Sequence, residues 1–244
     1  MDDFKICVVI PSYDNPQTVA GVVARVREYV PDVFVVDDGS QIPVSDVLVP
    51  CPARVHIHRR TSNGGKGAAV KDGLRLAMQH GFSHALQLDA DGQHDSNDIP
   101  RFLAAARAQP QAFITGKPSF DDSAPAMRVW ARQLSVFWVS VETLSRRIAD
   151  PLCGFRIYPL GRLPALDQLG DRMDFDPEIA VRLVWRGVPV VNIETRVRYL
   201  SKEEGGVSHF RSVRDTLGIS WLHTRLVLSL LISLLLRRNR SAVP

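Results

Sequence analysis

The sequence predicts an α/β fold: a mostly parallel central sheet flanked by helices, followed by a C-terminal amphipathic or membrane-associated helix. Three observations carry that expectation. Ile6–Ile10 and Val33–Val36 are short unbroken apolar runs, as in strands buried on both faces. Between them Val19, Val22, Val23, Val26 and Val30 recur at helical spacing, so the opening reads as strand, helix, strand with a right-handed parallel crossover. Acidic residues also gather where strands stop: Asp14, then Asp37 and Asp38, then Asp89 and Asp91. Ligands of open parallel sheets bind at the carboxyl ends of strands, so the three clusters point to one crevice.

The elements follow in order. Pro11 closes the first strand, and Asp14-Asn15-Pro16 opens the first helix, with Pro16 suited to its first turn. After the second strand come a strand at 55–58, a glycine-rich turn Asn63-Gly64-Gly65-Lys66-Gly67, a helix from Ala68 to about His80, and a strand at 85–88 that runs into Asp89. A helix follows Pro100 and a strand takes 113–115. The second half opens with a helical pattern over 124–148, through Val129, Leu134, Phe137, Trp138, Val141 and Leu144. A helix at 177–185, strands near 188–193 and 197–200, and a polar loop over 201–208 come next.

The last segment, from about Val213 to Leu236, reads as one more helix. Its unbroken apolar stretch, Leu226 to Leu236, would rise only ~16 Å, roughly half a hydrocarbon core. His223 and Arg225 stand against extending it upstream. A helix lying in or partly inserted into a membrane surface is expected, anchored through Trp221 to Arg240. Docking on the sheet, or pairing in a homo-oligomer, is the alternative.

Of the 244 residues 45% are hydrophobic and 23% charged, which implies a globular chain with a real core. The net charge of +4 is modest, and Arg237, Arg238 and Arg240 crowd the end of the apolar run. That pattern suits an anionic membrane surface better than nucleic acid, and no nucleic-acid partner is expected. Cys7, Cys51 and Cys153 lack metal-ligand spacing and read as reduced thiols, two of them in core strands. The N-terminus lacks the basic start and long apolar run of a signal peptide, so the expected location is cytoplasmic, at the cytoplasmic face of the inner or plasma membrane.

Asp89-Ala90-Asp91 directly follows a buried strand, so alternation sends both carboxylates one way and Ala90 the other. Two like charges this close are costly unless a cation lies between them. Oxygen donors select a hard ion, Mg²⁺ or Mn²⁺, and such ions commonly also bind substrate phosphates. Gln93 and His94 lie within reach as further ligands or supporting donors. Asp-x-Asp alone is equally a solvated turn, and its neighbours decide the matter.

Pro11-Ser12-Tyr13-Asp14-Asn15, Asp37-Asp38-Gly39-Ser40, the Asn63–Gly67 turn and Asp89-Ala90-Asp91-Gly92-Gln93-His94 together resemble the family 2 glycosyltransferases of GT-A fold. Asp150-Pro151-Leu152-Cys153-Gly154-Phe155-Arg156, Phe175-Asp176-Pro177-Glu178 and Gly205-Gly206-Val207-Ser208-His209 extend the likeness to about residue 210, and it is greatest to the polyprenyl-phosphate and dolichyl-phosphate sugar transferases. The resemblance implies a metal-dependent, inverting hexosyl transfer from a UDP- or GDP-linked sugar to a lipid phosphate or other lipid-like acceptor. It implies that residues 1–120 hold the nucleotide sugar, that 121–210 face the acceptor, and that 211–244 form the C-terminal hydrophobic and basic helix.

Carried over by position, Pro11, Tyr13, Asp14, Asp38, Lys66, Asp89, Ala90, Asp91, Lys117 and Arg198 bind the nucleotide sugar. Asp89, Asp91 and Gln93 hold the metal, and Asp150 and Asp91 are catalytic. Asn15 stands where relatives commonly have Glu. Asp150 would take the acceptor proton or, with a phosphate acceptor, orient it; the plainer reading makes it a helix cap or the ion-pair partner of Arg156. Asp174, Asp176 and Glu178 are further acceptor-side candidates. The glycines serve either a tight turn or phosphate contact, and Asp37 either caps its turn or binds ligand. Two other classes stay open: a sugar nucleotidyltransferase-like enzyme, and an inactive GT-A scaffold at the membrane. A nicotinamide-dependent oxidoreductase is disfavoured, because no Gly-x-Gly-x-x-Gly follows the first strand.

Overall fold

A computed structural model describes residues 4–120, 126–198 and 212–240. The elements are β1 (Ile6–Ser12), α1 (Val19–Arg27), β2 (Val33–Asp37), α2 (Val44–Val47), β3 (Val55–Arg59), α3 (Lys66–Gln79), β4 (His84–Gln87), α4 (Ile99–Ala108), β5 (Phe113–Phe120), α5 (Ala126–Thr143), β6 (Arg156–Pro159), α6 (Phe175–Trp185), β7 (Val190–Val197) and α7 (Ser212–Arg240). Among the described residues the strands form one sheet in the order β3-β2-β1-β4-β6-β5-β7. β6 runs antiparallel to β4 and β5, while the other pairings are parallel.

Alternation along β1 divides the core. Val8 and Ile10 face a layer containing Val19, Val23 and Val26 of α1 and Phe102 of α4. Cys7 and Val9 face Val70 and Leu74 of α3, Ile179 and Leu183 of α6, and Leu222 and Leu226 of α7. Both faces are covered by helices, which is why the central strands read as unbroken apolar runs.

The second half departs from its sequence reading in four places. The strand expected near 188–193 runs on to Val197 as one strand, β7, paired with β5 along its whole length, and residues 199–200 of the strand expected at 197–200 lie outside the described residues. Glu194, Thr195 and Arg196 look like a break, yet β7 ends the sheet order, and Glu194 and Arg196 sit on its exposed positions. β6 was not foreseen, because a strand of four residues beginning with Arg carries almost no pattern. The α5 helix stops at Thr143 rather than at 148, where Leu144 takes a positive φ of 49°. Cys153 is buried in the loop before β6, not in a core strand, whereas Cys7 lies in β1 as expected.

Near the N-terminus α1 begins at Val19, after a turn in which the Asn15 carbonyl accepts the N–H groups of Thr18 and Val19. Pro16 lies in that turn, ahead of the helix.

The α7 helix has 29 residues. His223 and Arg225 do not interrupt its apolar side, because both are paired with carboxylates of neighbouring helices: buried His223 Nδ1 lies 2.6 Å from Glu142 Oε1 on α5, and Arg225 Nη2, on a half-exposed side chain, lies 2.7 Å from Glu178 Oε1 on α6. The apolar window therefore reaches from Thr216 to Leu236, with mean hydropathy 1.8 and 17% of it buried, and is long and apolar enough by length and composition to cross a membrane. The helix docks by Leu222 and Leu226 and leaves Trp221, Leu228, Leu231, Ile232 and Leu235 exposed.

Candidate active site

The ends of β2, β1 and β4 lie side by side, and they bring the three acidic clusters together. Each carboxylate has a different task. Asp37 is fully buried. It accepts N–H groups from Ser40 (2.8 Å) and Val44 (3.1 Å) and pairs with Arg59 (2.6 Å). Burial opposes its charge, but these donors outweigh burial and hold its carboxyl below the usual range. It caps the turn.

Asp38 accepts the N–H groups of Gly64 (2.9 Å) and Gly65 (2.7 Å) and pairs with Arg60 (2.9 Å). Burial nevertheless raises its carboxyl. The glycine-rich turn is thus tied to Asp38, and the N–H groups of Gly64 and Gly65 point at a carboxylate of the protein. Gly65, at φ 108°, makes the turn into α3.

Asp14 also takes positive φ, at 47°. Its N–H donates to Ser40 Oγ (3.0 Å) and its Oδ1 accepts from Gln41 N (2.7 Å), which clips the end of β1 to the turn after β2. Tyr13 is half-buried beside it, and Pro11 is buried within β1.

Asp89 and Asp91 flank Ala90, whose side chain is buried in the core and whose carbonyl accepts from Thr18 Oγ1 (2.6 Å). Asp91 Oδ1 accepts from Gln93 N (3.0 Å) across Gly92, at φ 72°. Asp89 Oδ2 meets Lys66 Nζ at 2.9 Å, and the same ammonium lies 2.8 Å from Asp176 Oδ2. Burial pushes the Asp91 carboxyl up to about 6, and the charge of Asp89 adds to the rise. Burial also works against the Asp89 charge, but the Lys66 ammonium beside it outweighs burial and holds that carboxyl low. Burial drives His94 down to about 4, so it is neutral at ordinary pH.

Asp89 Oδ1 is buried without a hydrogen-bond partner. An orphaned carboxylate oxygen beside a second carboxylate that resists ionising is the donor set a hard cation satisfies. The residues fit Mg²⁺ or Mn²⁺.

Around this turn, Gln93 O accepts from Arg198 N at 3.0 Å, and a cavity of about 550 Å³ opens between Arg25, Gln93, His94, Arg196 and Arg198. Lys117 is paired instead with Glu194 of β7 at 2.9 Å. Asp150, nearly buried, accepts from Leu152 N (2.7 Å), and Arg132 Nη1 of α5 lies 2.8 and 2.7 Å from its two oxygens. The proposed Asp150–Arg156 ion pair is absent. Arg156 is fully buried and donates to the carbonyls of Pro151, Cys153 and Asp176, with Asp176 Oδ1 at 3.4 Å.

Arg132 escaped the sequence reading because it sits in an otherwise apolar helical pattern. Asp176, an acceptor-side candidate by sequence, lies behind Lys66 in the structure, its Oδ2 2.8 Å from the ammonium. Gly205, Ser208 and His209 lie outside the described residues.

The family model described as Glycosyl transferase family 2 matches residues 7–157, from β1 through the Asp89–Asp91 turn into β6. The chain belongs to glycosyl transferase family 2. Its relatives include a polyprenol monophosphomannose synthase of Mycolicibacterium smegmatis, 30% identical over 67% of this chain and 64% of that protein. An undecaprenyl-phosphate mannosyltransferase of Micrococcus luteus is 29% identical over 67% of this chain and 70% of its own length. The alignment thus spans just under two thirds of the first of these relatives. The likeness to the polyprenyl-phosphate sugar transferase type holds.

Among solved structures, the glucosyl-3-phosphoglycerate synthase of Mycobacterium tuberculosis in complex with UDP superposes with a TM-score of 0.67 at 14% identity, covering 93% of this chain and 80% of that one. The same enzyme with Mn²⁺, UDP and phosphoglyceric acid gives 0.66 at 16% identity, covering 95% and 78%. The fold of this family 2 member is GT-A.

Proposed function

We propose that the protein transfers a hexosyl group from a nucleoside diphosphate sugar to a lipid phosphate, with a divalent cation at Asp89 and Asp91. The observation that carries this reading is the Asp89–Asp91 turn, where a buried, unpartnered carboxylate oxygen stands beside a carboxylate that resists ionising. Relatives named for polyprenol and undecaprenyl phosphate support the acceptor class, and a neighbour of the same fold crystallised with Mn²⁺ and UDP supports the donor side.

Asp89 and Asp91, with Gln93 nearby, would hold Mg²⁺ or Mn²⁺, which when bound neutralises charge building on the departing diphosphate. Arg198 and Arg196, on the cavity beside Gln93, add positive charge for an anion. Asp150, oriented by Arg132, sits on the acceptor side. With a phosphate acceptor the nucleophile is already an anion, so Asp150 orients rather than deprotonates, and attack opposite the leaving group inverts the anomeric centre. The exposed side of α7 suits a membrane surface, where a lipid phosphate would be presented.

Transfer of radiolabelled sugar from UDP- and GDP-linked donors to polyprenyl phosphate in mixed micelles tests the reading. Product that requires Mn²⁺ or Mg²⁺ and vanishes in Asp91→Ala supports it; full turnover in that variant, or in excess chelator, overturns it.

A further inference from the structure

Lys66 stands between two carboxylates, and they are not equivalent. Asp89 belongs to the turn proposed to hold the cation. Asp176, on the first turn of α6, is buried behind it with a side chain 4% exposed, and Arg156 Nη1, 3.4 Å from its Oδ1, steadies it from the far side. Lys66 is itself 16% exposed, so little water screens either pair. Its backbone is fixed by the glycine-rich turn and by the Ala68 N–H, which donates to the Asp171 carbonyl at 2.8 Å, so only the side chain is free to move.

We infer that Lys66 competes with the cation for Asp89, and that a nucleoside diphosphate, by giving this ammonium another anion, couples cation binding to nucleotide binding. This rests on the donor site proposed above. Two positive charges cannot share one carboxylate without mutual repulsion, and Asp89 Oδ2 is already taken by the ammonium. Asp176 makes release feasible, because a lysine that leaves Asp89 keeps one buried partner. Asp176 is therefore a positioning residue. By linkage, nucleotide and cation raise each other's affinity by the same factor.

The test is Mn²⁺ titration of the full chain, followed by the electron paramagnetic resonance of free Mn²⁺ with and without UDP or GDP and corrected for Mn²⁺ held by nucleotide alone. In wild type, nucleotide should raise Mn²⁺ affinity at least about tenfold. Lys66→Met should bind Mn²⁺ without nucleotide at least about tenfold more tightly than wild type, with a smaller gain on adding nucleotide. Lys66→Arg should stay as weak as wild type. Asp176→Asn, which leaves Lys66 on Asp89 alone, should weaken Mn²⁺ binding in the presence of nucleotide, and it keeps the proposal testable if Lys66→Met fails to fold. Free Lys66→Met that binds Mn²⁺ no better than wild type, or Asp176→Asn that binds it normally with nucleotide, overturns the coupling and leaves the donor site standing. Wild type that takes no Mn²⁺ with either nucleotide overturns both.

Discussion

Gly154 lies so close against the Asp89 carboxylate that a β-carbon at position 154 would fall among its atoms. The loop that carries Asp150 therefore packs, through its glycine, onto the residue proposed to hold the cation, and one contact joins the proposed donor and acceptor sides of the site.

Gly154→Ala should push Asp89 off its position. A displacement near 1 Å at a reacting site costs about 100-fold in rate, so transfer should fall by about that factor, while overpacking lowers stability by about 1–3 kcal/mol. Steady-state kinetics together with urea unfolding separate the two effects.

Asp37 and Asp38 are adjacent in sequence but differ in their loads, and unfolding measurements should resolve them. Asp37→Ala leaves the N–H groups of Ser40 and Val44 unpaired in a buried turn, each costing about 1–3 kcal/mol. Asp37→Asn, which keeps an acceptor oxygen, should cost less. Equal urea midpoints for the two variants would contradict the capping role.

Most of the architecture of the first half was legible in the sequence, and that of the second half less so. β1, β2 and β4 are covered on both faces, so burial wrote itself as unbroken apolar runs, and polar residues at their ends marked the crevice. β7 was misread because an edge strand tolerates Glu194 and Arg196 on its open face. β6 was missed because Arg156, whose charge is satisfied by buried carbonyls, looks like a surface residue in a linear string. The paired roles of Arg132 with Asp150 and of Asp176 with Lys66 join residues 18 apart in one case and far apart in chain order in the other, and no local spacing encodes them.

His84 is buried, its Nε2 2.8 Å from the Pro110 carbonyl, and burial lowers its pKa below 6.5. The unfolded chain therefore takes up this proton first as pH falls. Stability should drop from about pH 6.5 downward through the folded value. In His84→Gln that part of the acid slope should disappear from thermal unfolding recorded between pH 7.5 and 5.

The pairing of His223 with Glu142 and of Arg225 with Glu178 anchors α7 at mid-length and leaves its apolar side free. Leu231→Glu combined with Leu235→Glu, both at exposed positions, should weaken binding to anionic vesicles at least about tenfold without changing the melting temperature. Glu142→Ala should instead loosen the whole helix, read as faster amide exchange along 216–236. Vesicle binding unaffected by the double substitution would argue for another role for this face.

Everything proposed for the site depends on Asp89 and Asp91 holding the cation that sugar transfer requires. Calorimetric titration of Mn²⁺ in the presence of nucleoside diphosphate, comparing wild type with Asp91→Asn, tests it most directly. Wild type should bind at one site, and the variant should lose at least about a hundredfold in affinity, matched by lost transfer. Mn²⁺ binding of equal strength in both proteins would contradict it.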